Sequence, residues 1–280
     1  MSRLIIKAGA AERHYWADLW RYRELFYFLS WRDILVRYKQ TVIGVLWALL
    51  RPILTIAIFT ILFGKMAKLS APIAYPVFVC AGVLPWQFFA TAMAEASNSL
   101  VLNANMLSKI YFPRLIVPTS AVIVAFVDLL ISLVILAALM MWYNVMPTWR
   151  LLALPLFTVM GLGAALAVGL WLSALNVKYR DFRYVIPFVV QFGFFVSPVG
   201  YSREQLHQKL GDTLLGRTVY DLYPFNPMDG VINGFRWSIS GGSTALDWNS
   251  VFIAIGVIIV VMTLGLRYFR RTEKRFADII

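Results

Sequence analysis

Three charged residues stand inside otherwise apolar stretches: Arg51, Glu95 and Asp128. A charge in the hydrocarbon core is costly and by default faces the bundle interior or a cavity. Asp128 falls near the middle of its stretch, and pairing with Arg51 would neutralise both. Glu95 falls near the inner end of its own stretch and can reach the interface. Acid–base turnover would need a carboxylate pair at one membrane face, and none is present. Nor is there a Ser-His-Asp set or a metal-ligand spacing. Cys80 is the single cysteine, so neither an intrachain disulfide nor a cysteine zinc cluster can form. His14 and His207 are far apart in sequence and expected on opposite sides of the membrane. No G-x-x-x-x-G-K-[ST] loop occurs. "SISGGSTAL" around Ser240 superficially resembles an ABC ATPase signature, but a Gly-Gly-Ser turn after a short helix explains it. What remains is ion pairing in apolar surroundings, which points away from an enzyme.

The elements that must hold these charges are membrane spans. Of 280 residues, 60% are hydrophobic and 14% charged, against about half and a quarter in soluble domains. A spanning helix needs ~20 apolar residues. Six stretches qualify: about 42–63, 75–98, 116–143, 151–177, 184–201 and 250–269. Pro85, Gln87 and Glu95 interrupt the second. The fold class expected is all-α integral membrane. Residues 1–41 form an N-terminal tail with an interfacial helix, and 42–280 a six-helix domain. The first forty residues are charged and aromatic, unlike a cleavable signal, so insertion is expected through the first span.

A net charge of +12 can suggest nucleic acid, but that reading needs a soluble basic face, for which there is no room. The charge is topological instead. Nineteen Lys and Arg fall on the side holding both termini and seven on the other, which puts both termini in the cytoplasm.

Before the first span, Tyr27, Trp31, Ile34, Leu35 and Tyr38 share one helical face, with Arg32, Asp33, Arg37, Lys39 and Gln40 opposite. This reads as a helix lying along the inner leaflet, with basic residues and Trp at headgroup depth. On the outer side, an extended segment of about 202–245 precedes the last span. Asn226 can cap a helix whose first residue is Pro227. Met228, Val231, Ile232, Phe235 and Ile239 then share a face, and Gly230 and Gly234 permit close packing. Too short to span, this helix reads as a re-entrant or gate element, tolerated where protein buries it or water lines it. The alternative is a surface helix on an ordinary external loop. No internal repeat is visible, which disfavours a secondary transporter built from inverted halves.

Aromatic residues make up 15% of the chain. Many belong to interfacial belts. Trp47, Phe59, Trp86, Phe88, Phe89, Phe188, Phe192 and Phe195 fall at mid-span or interior positions. They suit either packing or an aromatic wall on which sugar rings can stack.

Five stretches together resemble the membrane-spanning subunit of polysaccharide ABC exporters, the type-2 export permeases of O-antigen, capsule and teichoic acid chains. They are "RDILVRYKQTVIGVLWALLRPILTIAIFTILF", "GVLPWQFF", "SKIYFPRLIVP", "NVKYRDFRYVIPFVVQFGFFVSPVGY" and "YPFNPMDGVINGFRW". Their common order is more specific than any one of them.

The resemblance implies a homodimer working with two copies of a separate ATPase, which binds ATP and magnesium while this chain binds no cofactor and no metal. It implies a substrate conduit across the inner membrane for a lipid-linked glycan, most similar to the O-antigen of lipopolysaccharide. It also implies a coupling turn at about 103–114, with Lys109, Phe112, Pro113 and Arg114 as contacts. Lys178, Arg180 and Asp181 make a second cytoplasmic contact. Arg51, beside the kink expected at Pro52, would then face a lateral opening, where its planar fork suits phosphate; snorkelling to headgroups is the alternative. Trp47, Phe59, Trp86, Phe88, Phe188, Phe192 and Phe195 are expected along the path. Trp31, Arg32, Arg37 and Tyr38 are expected on the interfacial helix. An exporter of a drug or small lipid, a membrane-bound glycosyl or acyl transferase, and a scaffold subunit are the rival readings.

Overall fold

The computed structural model describes residues 15–39, 44–179, 181–211, 213–273 and 276. Every regular element among them is helical. Two N-terminal helices, α1 (Tyr15–Arg21) and α2 (Arg23–Lys39), precede α3 (Gly44–Phe59), which runs on as π-helical turns over Thr60–Met66. Then come α4 (Tyr75–Leu102), the single turn α5 (Ala104–Leu107), α6 (Ile116–Trp142) and α7 (Leu154–Lys178). The chain closes with α8 (Phe182–Val196), α9 (Arg203–Leu210), α10 (Leu214–Leu222), α11 (Pro227–Ile239) and α12 (Trp248–Glu273).

Five helices are long and apolar enough to cross a bilayer: α3 with its π extension, α4, α6, α7 with its preceding 3-10 turn, and α12. Residues 42 and 43 of the expected first span lie outside the described residues. The fifth expected span is corrected. It was to reach Tyr201, but α8 has 15 residues, ~22 Å of helix against a ~30 Å hydrocarbon core. The physical reason is local. Pro198 has no N–H and pushes the preceding residue out of the helical region, and Ser197 is extended (φ −82°, ψ 147°).

The helix with the most polar interruptions is the centre of the bundle. Nineteen of the 28 residues of α4 are buried. Small residues allow the approach: a Cβ on Gly169 of α7 would stand 2.8 Å from the Ala96 Cβ, and one on Gly82 only 2.5 Å from the Val199 carbonyl oxygen. Asn176 of α7 donates to the Ser97 carbonyl and to Asn98 Oδ1, both at 3.0 Å, so α4 and α7 are also joined by polar bonds at one level.

The capped helix forms as its residues require. Asn226 accepts from the Met228 N–H at 3.0 Å, with Pro227 following it. All five apolar residues of its stripe are buried. Gly230 lies against Ala254 of α12, and Gly234 against Phe157 of α7. The surface-helix alternative is thereby corrected. Asp229 and Arg236 are buried as well, and α11 packs on α4, α7 and α12.

A second apolar cluster ties the other end together, joining Leu29 of α2, Leu107, Phe112, Leu115, Ile116, Val177 and Phe269. Helix α2 leans on α6. Its Leu29 and Ser30 face inward, while Tyr27, Phe28, Trp31, Leu35 and Val36 are exposed. The rings of Tyr27 and Trp31 stack nearly parallel at 6.4 Å.

Candidate functional site

The polar face of α2 turns toward the bundle and carries its charge into it. Arg37 pairs with Glu95 of α4 at 2.7 Å and with Asp128 of α6 at 3.1 Å. Tyr38 donates from its hydroxyl to Asp128 Oδ1. Burial works against the Arg37 charge, but the two carboxylates outweigh it and raise the guanidinium above an ordinary arginine. The expected pairing of Asp128 with Arg51 is therefore corrected. Asp128 is claimed by a helix that precedes the first span, because α2 packs against α6 and delivers Arg37 to its middle. Tyr38, expected on the lipid-facing stripe, leaves it for the same carboxylate. Glu95 is likewise an ion-pair partner rather than a residue reaching for the interface. Arg32 binds Asp33 at 2.7 Å and Asn103 Oδ1 at 3.3 Å, joining α2 to the turn after α4.

Beside this cluster lies a cavity of about 660 Å³ between α2, α3, α4 and α6. Arg37, Tyr38, Arg51, Gln87, Phe88 and Asp128 are among its lining residues. Arg51 is exposed and makes no ion pair among the described residues. Pro52 is buried within α3, and Thr55 bonds back to the Arg51 carbonyl at 2.8 Å while receiving Gln87 Nε2 at 3.3 Å. The arrangement is one arginine held by two carboxylates beside a second that is not. It suits binding of an anion whose remainder is apolar. The side chain of Trp47 lies outside the described residues.

The aromatic residues divide into two sets. Trp86 is buried, its ring against Gly193 and 5.5 Å from that of Phe89. Phe88 is buried too, although it is one of the residues lining the cavity. Phe59 packs on Phe63 and Phe194. Of the two aromatic residues of α4 expected along the path, Trp86 is packed in the core, whereas Phe88 borders the cavity. By contrast, Phe188, Phe192 and Phe195 of α8 are each more than half exposed, and the first two rings sit 4.1 Å apart.

The turn between α4 and α6 also differs from its expected form. Lys109, Ile110 and Tyr111 are exposed, whereas Phe112 is buried in the second apolar cluster and Pro113 is buried beside it in sequence. The Arg114 N–H donates to Glu273 Oε1 at 3.0 Å, its guanidinium donates to the Glu273 carbonyl oxygen, and its cation lies 5.7 Å from the Phe276 ring. Arg114 thus anchors the turn to the end of α12, Phe112 shares a cluster with Phe269 and Phe276, and the exposed tip is Lys109, Ile110 and Tyr111. Arg114→Ala is expected to lower transport several-fold, because a charge-assisted anchor is lost, while the ATPase activity of a bound partner persists. Unchanged transport in the variant would show that the turn needs no anchor to transmit motion. At the second contact, Lys178 and Asp181 are exposed, with the Lys178 ammonium 4.8 Å from the Tyr179 ring. Arg180 lies outside the described residues.

At the opposite end is a polar group that the sequence reading missed. Arg203 meets Asp247 at 3.0 Å, Ser250 Oγ at 2.8 Å and, at 4.0 Å, Asp229. Arg236 donates to the carbonyls of Val199 at 2.8 Å and Tyr201 at 3.0 Å and lies 3.6 Å over the Phe78 ring. Asp229 and Arg236, seven residues apart on one helix, fall beside the apolar stripe of α11. That spacing is the signal that could have marked both as inward-facing.

A family model described as ABC-2 type transporter matches residues 24–240. Among similar proteins, an O-antigen export system permease protein, RfbA, from Myxococcus xanthus is 26% identical, the match covering 94% of this chain and 98% of that protein. A protein of the same name from Klebsiella pneumoniae is 25% identical over 92% of this chain and 95% of its own length. The polysialic acid transport protein KpsM from Escherichia coli is 21% identical, over 87% and 91%. With buried α4 and four other apolar helices of spanning length packed around it, and the family's match running from α2 to the end of α11, this chain belongs to the ABC-2 type transporter family, as a membrane permease subunit.

Proposed function

We propose that the chain is the permease of a polysaccharide exporter, moving a lipid-linked glycan of the O-antigen type outward across the cytoplasmic membrane. The observation that carries this reading is the cavity between α2, α3, α4 and α6, largely apolar but holding Arg37, Arg51, Gln87 and Asp128. It lies within spans that are otherwise apolar, and it offers an uncommitted arginine beside a lipid-facing helix. That is the chemistry a phosphate on a hydrocarbon anchor requires. The names of the O-antigen and polysialic acid relatives support the substrate class.

Two permease chains work with two ABC ATPase subunits, which bind ATP and magnesium. Both termini are cytoplasmic, as the excess of Lys and Arg on that side argues; an even number of crossings follows, with α8 and the chain beyond it completing the sixth. Lys109, Ile110 and Tyr111 present themselves to the ATPase, with Lys178 and Asp181 beside them. The phosphate of the substrate docks at Arg51, and the sugars pass Phe188, Phe192 and Phe195, whose exposed rings can stack on C–H-rich sugar faces. Residues 42–280 form the conduit domain, and α11 with its flanking helices closes the outer end as a re-entrant gate.

Arg51→Gln is expected to cut the polysaccharide reaching the cell surface about tenfold, the loss of one charged contact, and Arg51→Lys to retain part of it, since an ammonium keeps the charge without the fork. Glycan measured on intact and lysed cells decides. Normal surface glycan with both variants would remove Arg51 from the path.

A further inference from the structure

The polar group at the far end from α2 borders a second cavity, of about 570 Å³, within the ~300–1,000 Å³ of small-molecule sites. It begins just past the exposed aromatic row, since α8 ends at Val196 and Pro198 and Ser202 already line it. Asp229 and Arg236, only 3% and 5% exposed, form part of its lining, and Asp229 Oδ2 and Arg236 Nε have no hydrogen-bond partner. Buried polar atoms left unpaired are rare and costly. Burial pushes the Asp229 carboxyl up to about 6 and draws the Arg236 guanidinium down to about 9, so both groups gain from a hydrogen-bonding occupant.

We propose that this cavity binds one to three uncharged sugar units of the glycan as they leave the aromatic row; the proposal rests on the export reading above. The lining provides both halves of what vicinal hydroxyls need. Asp229 and Asp247 accept, Arg203 and Arg236 each keep a single unpaired Nε–H to donate while their Nη forks are taken, and the amides of Asn233 and Gln208 do both. A phosphate does not fit. With Glu204, three carboxylates line the cavity against two guanidinium groups, and both guanidiniums are already engaged, Arg203 by Asp247 and Arg236 by two carbonyls. The two cavities thereby divide the substrate. The one near α2 takes the anionic anchor and the far one takes neutral sugar, so the growing outer end is held while the lipid end is still moving.

The test places a photo-reactive benzoylphenylalanine at Gln208, which is exposed at the cavity rim, and separately at Phe192, in intact cells making their own lipid-linked glycan with the ATPase present. Irradiation should give a retarded permease band that takes a periodate–Schiff stain at both positions, absent from cells lacking the first glycosyltransferase. Asn233→Ala should reduce the adduct at position 208 at least about fivefold, the loss of one buried hydrogen bond, and leave that at 192 unchanged. An adduct at 192 without one at 208, or one at 208 indifferent to Asn233→Ala, overturns the outer site alone. No glycan adduct at either position overturns the export reading beneath it.

Discussion

Arg37→Gln is expected to produce the largest loss of any single polar substitution, at least about tenfold less folded permease in the membrane and correspondingly less transport. The variant leaves Glu95 and Asp128 facing each other with no cation between them. Removing one partner of a fully buried pair costs ~3–5 kcal/mol, discounted here to roughly 2 because about a third of the Arg37 side chain remains accessible. It also loosens α2, which then holds to the bundle through Leu29 and its apolar neighbours, the Tyr38–Asp128 bond and the Arg32–Asn103 bond. A triple variant, Arg37→Gln with Glu95→Gln and Asp128→Asn, carries no unpaired charge. It should recover most of the folded yield, measured as the monodisperse fraction on gel filtration, but not transport if α2 must move. Equal yields from the single and triple variants would show that the cluster is not what seats the helix.

The largest packing effect is expected at Gly234. A Cβ there would lie 2.1 Å from Cδ1 of Phe157, closer than any side-chain atom can come, and Phe157 is itself buried. Overpacking of a tight core costs ~1–3 kcal/mol, and a leucine is at the upper end. Gly234→Leu should therefore empty the membrane of folded chain, and Phe157→Ala in the same protein should restore part of it by removing the ring. Gly256 of α12 is the control, because a Cβ there meets nothing within 4 Å, and Gly256→Leu should leave the yield intact. Loss of yield from Gly256→Leu as well would mean that glycine packing on α11 is no special constraint.

How far these features could be read from the chain depends on how local they are. The capped helix was legible because its cap, its proline and its glycines fall within one short stretch, and their spacing alone sets the buried face. Five of the six expected spans were legible from composition for the same reason. The Tyr38–Asp128 contact was not, since its partners stand 90 residues apart and meet only because α2 docks on α6. Arg51 looked like the natural partner of Asp128 because both interrupt apolar stretches; periodicity says which face a residue takes but not which helix lies opposite. The coupling turn failed differently. Phe112 looks like a loop residue, and it is buried in one cluster with Phe269 and Phe276, distant in sequence. Aromatic composition likewise could not separate the packed Trp86 from the exposed Phe188, which differ only in whether their helix is central or peripheral.

In the export reading proposed above, this chain supplies a path and an ATPase partner supplies the energy. The direct measurement is transport in sealed vesicles containing the purified permease with or without its ATPase, loaded with lipid-linked glycan and scored by how much becomes accessible to a glycosidase on the far side. Accessibility should rise only with both subunits and ATP present, and fall when Arg51→Gln permease is used. Glycan crossing with the permease alone, or ATP hydrolysis by the permease alone, would contradict the account.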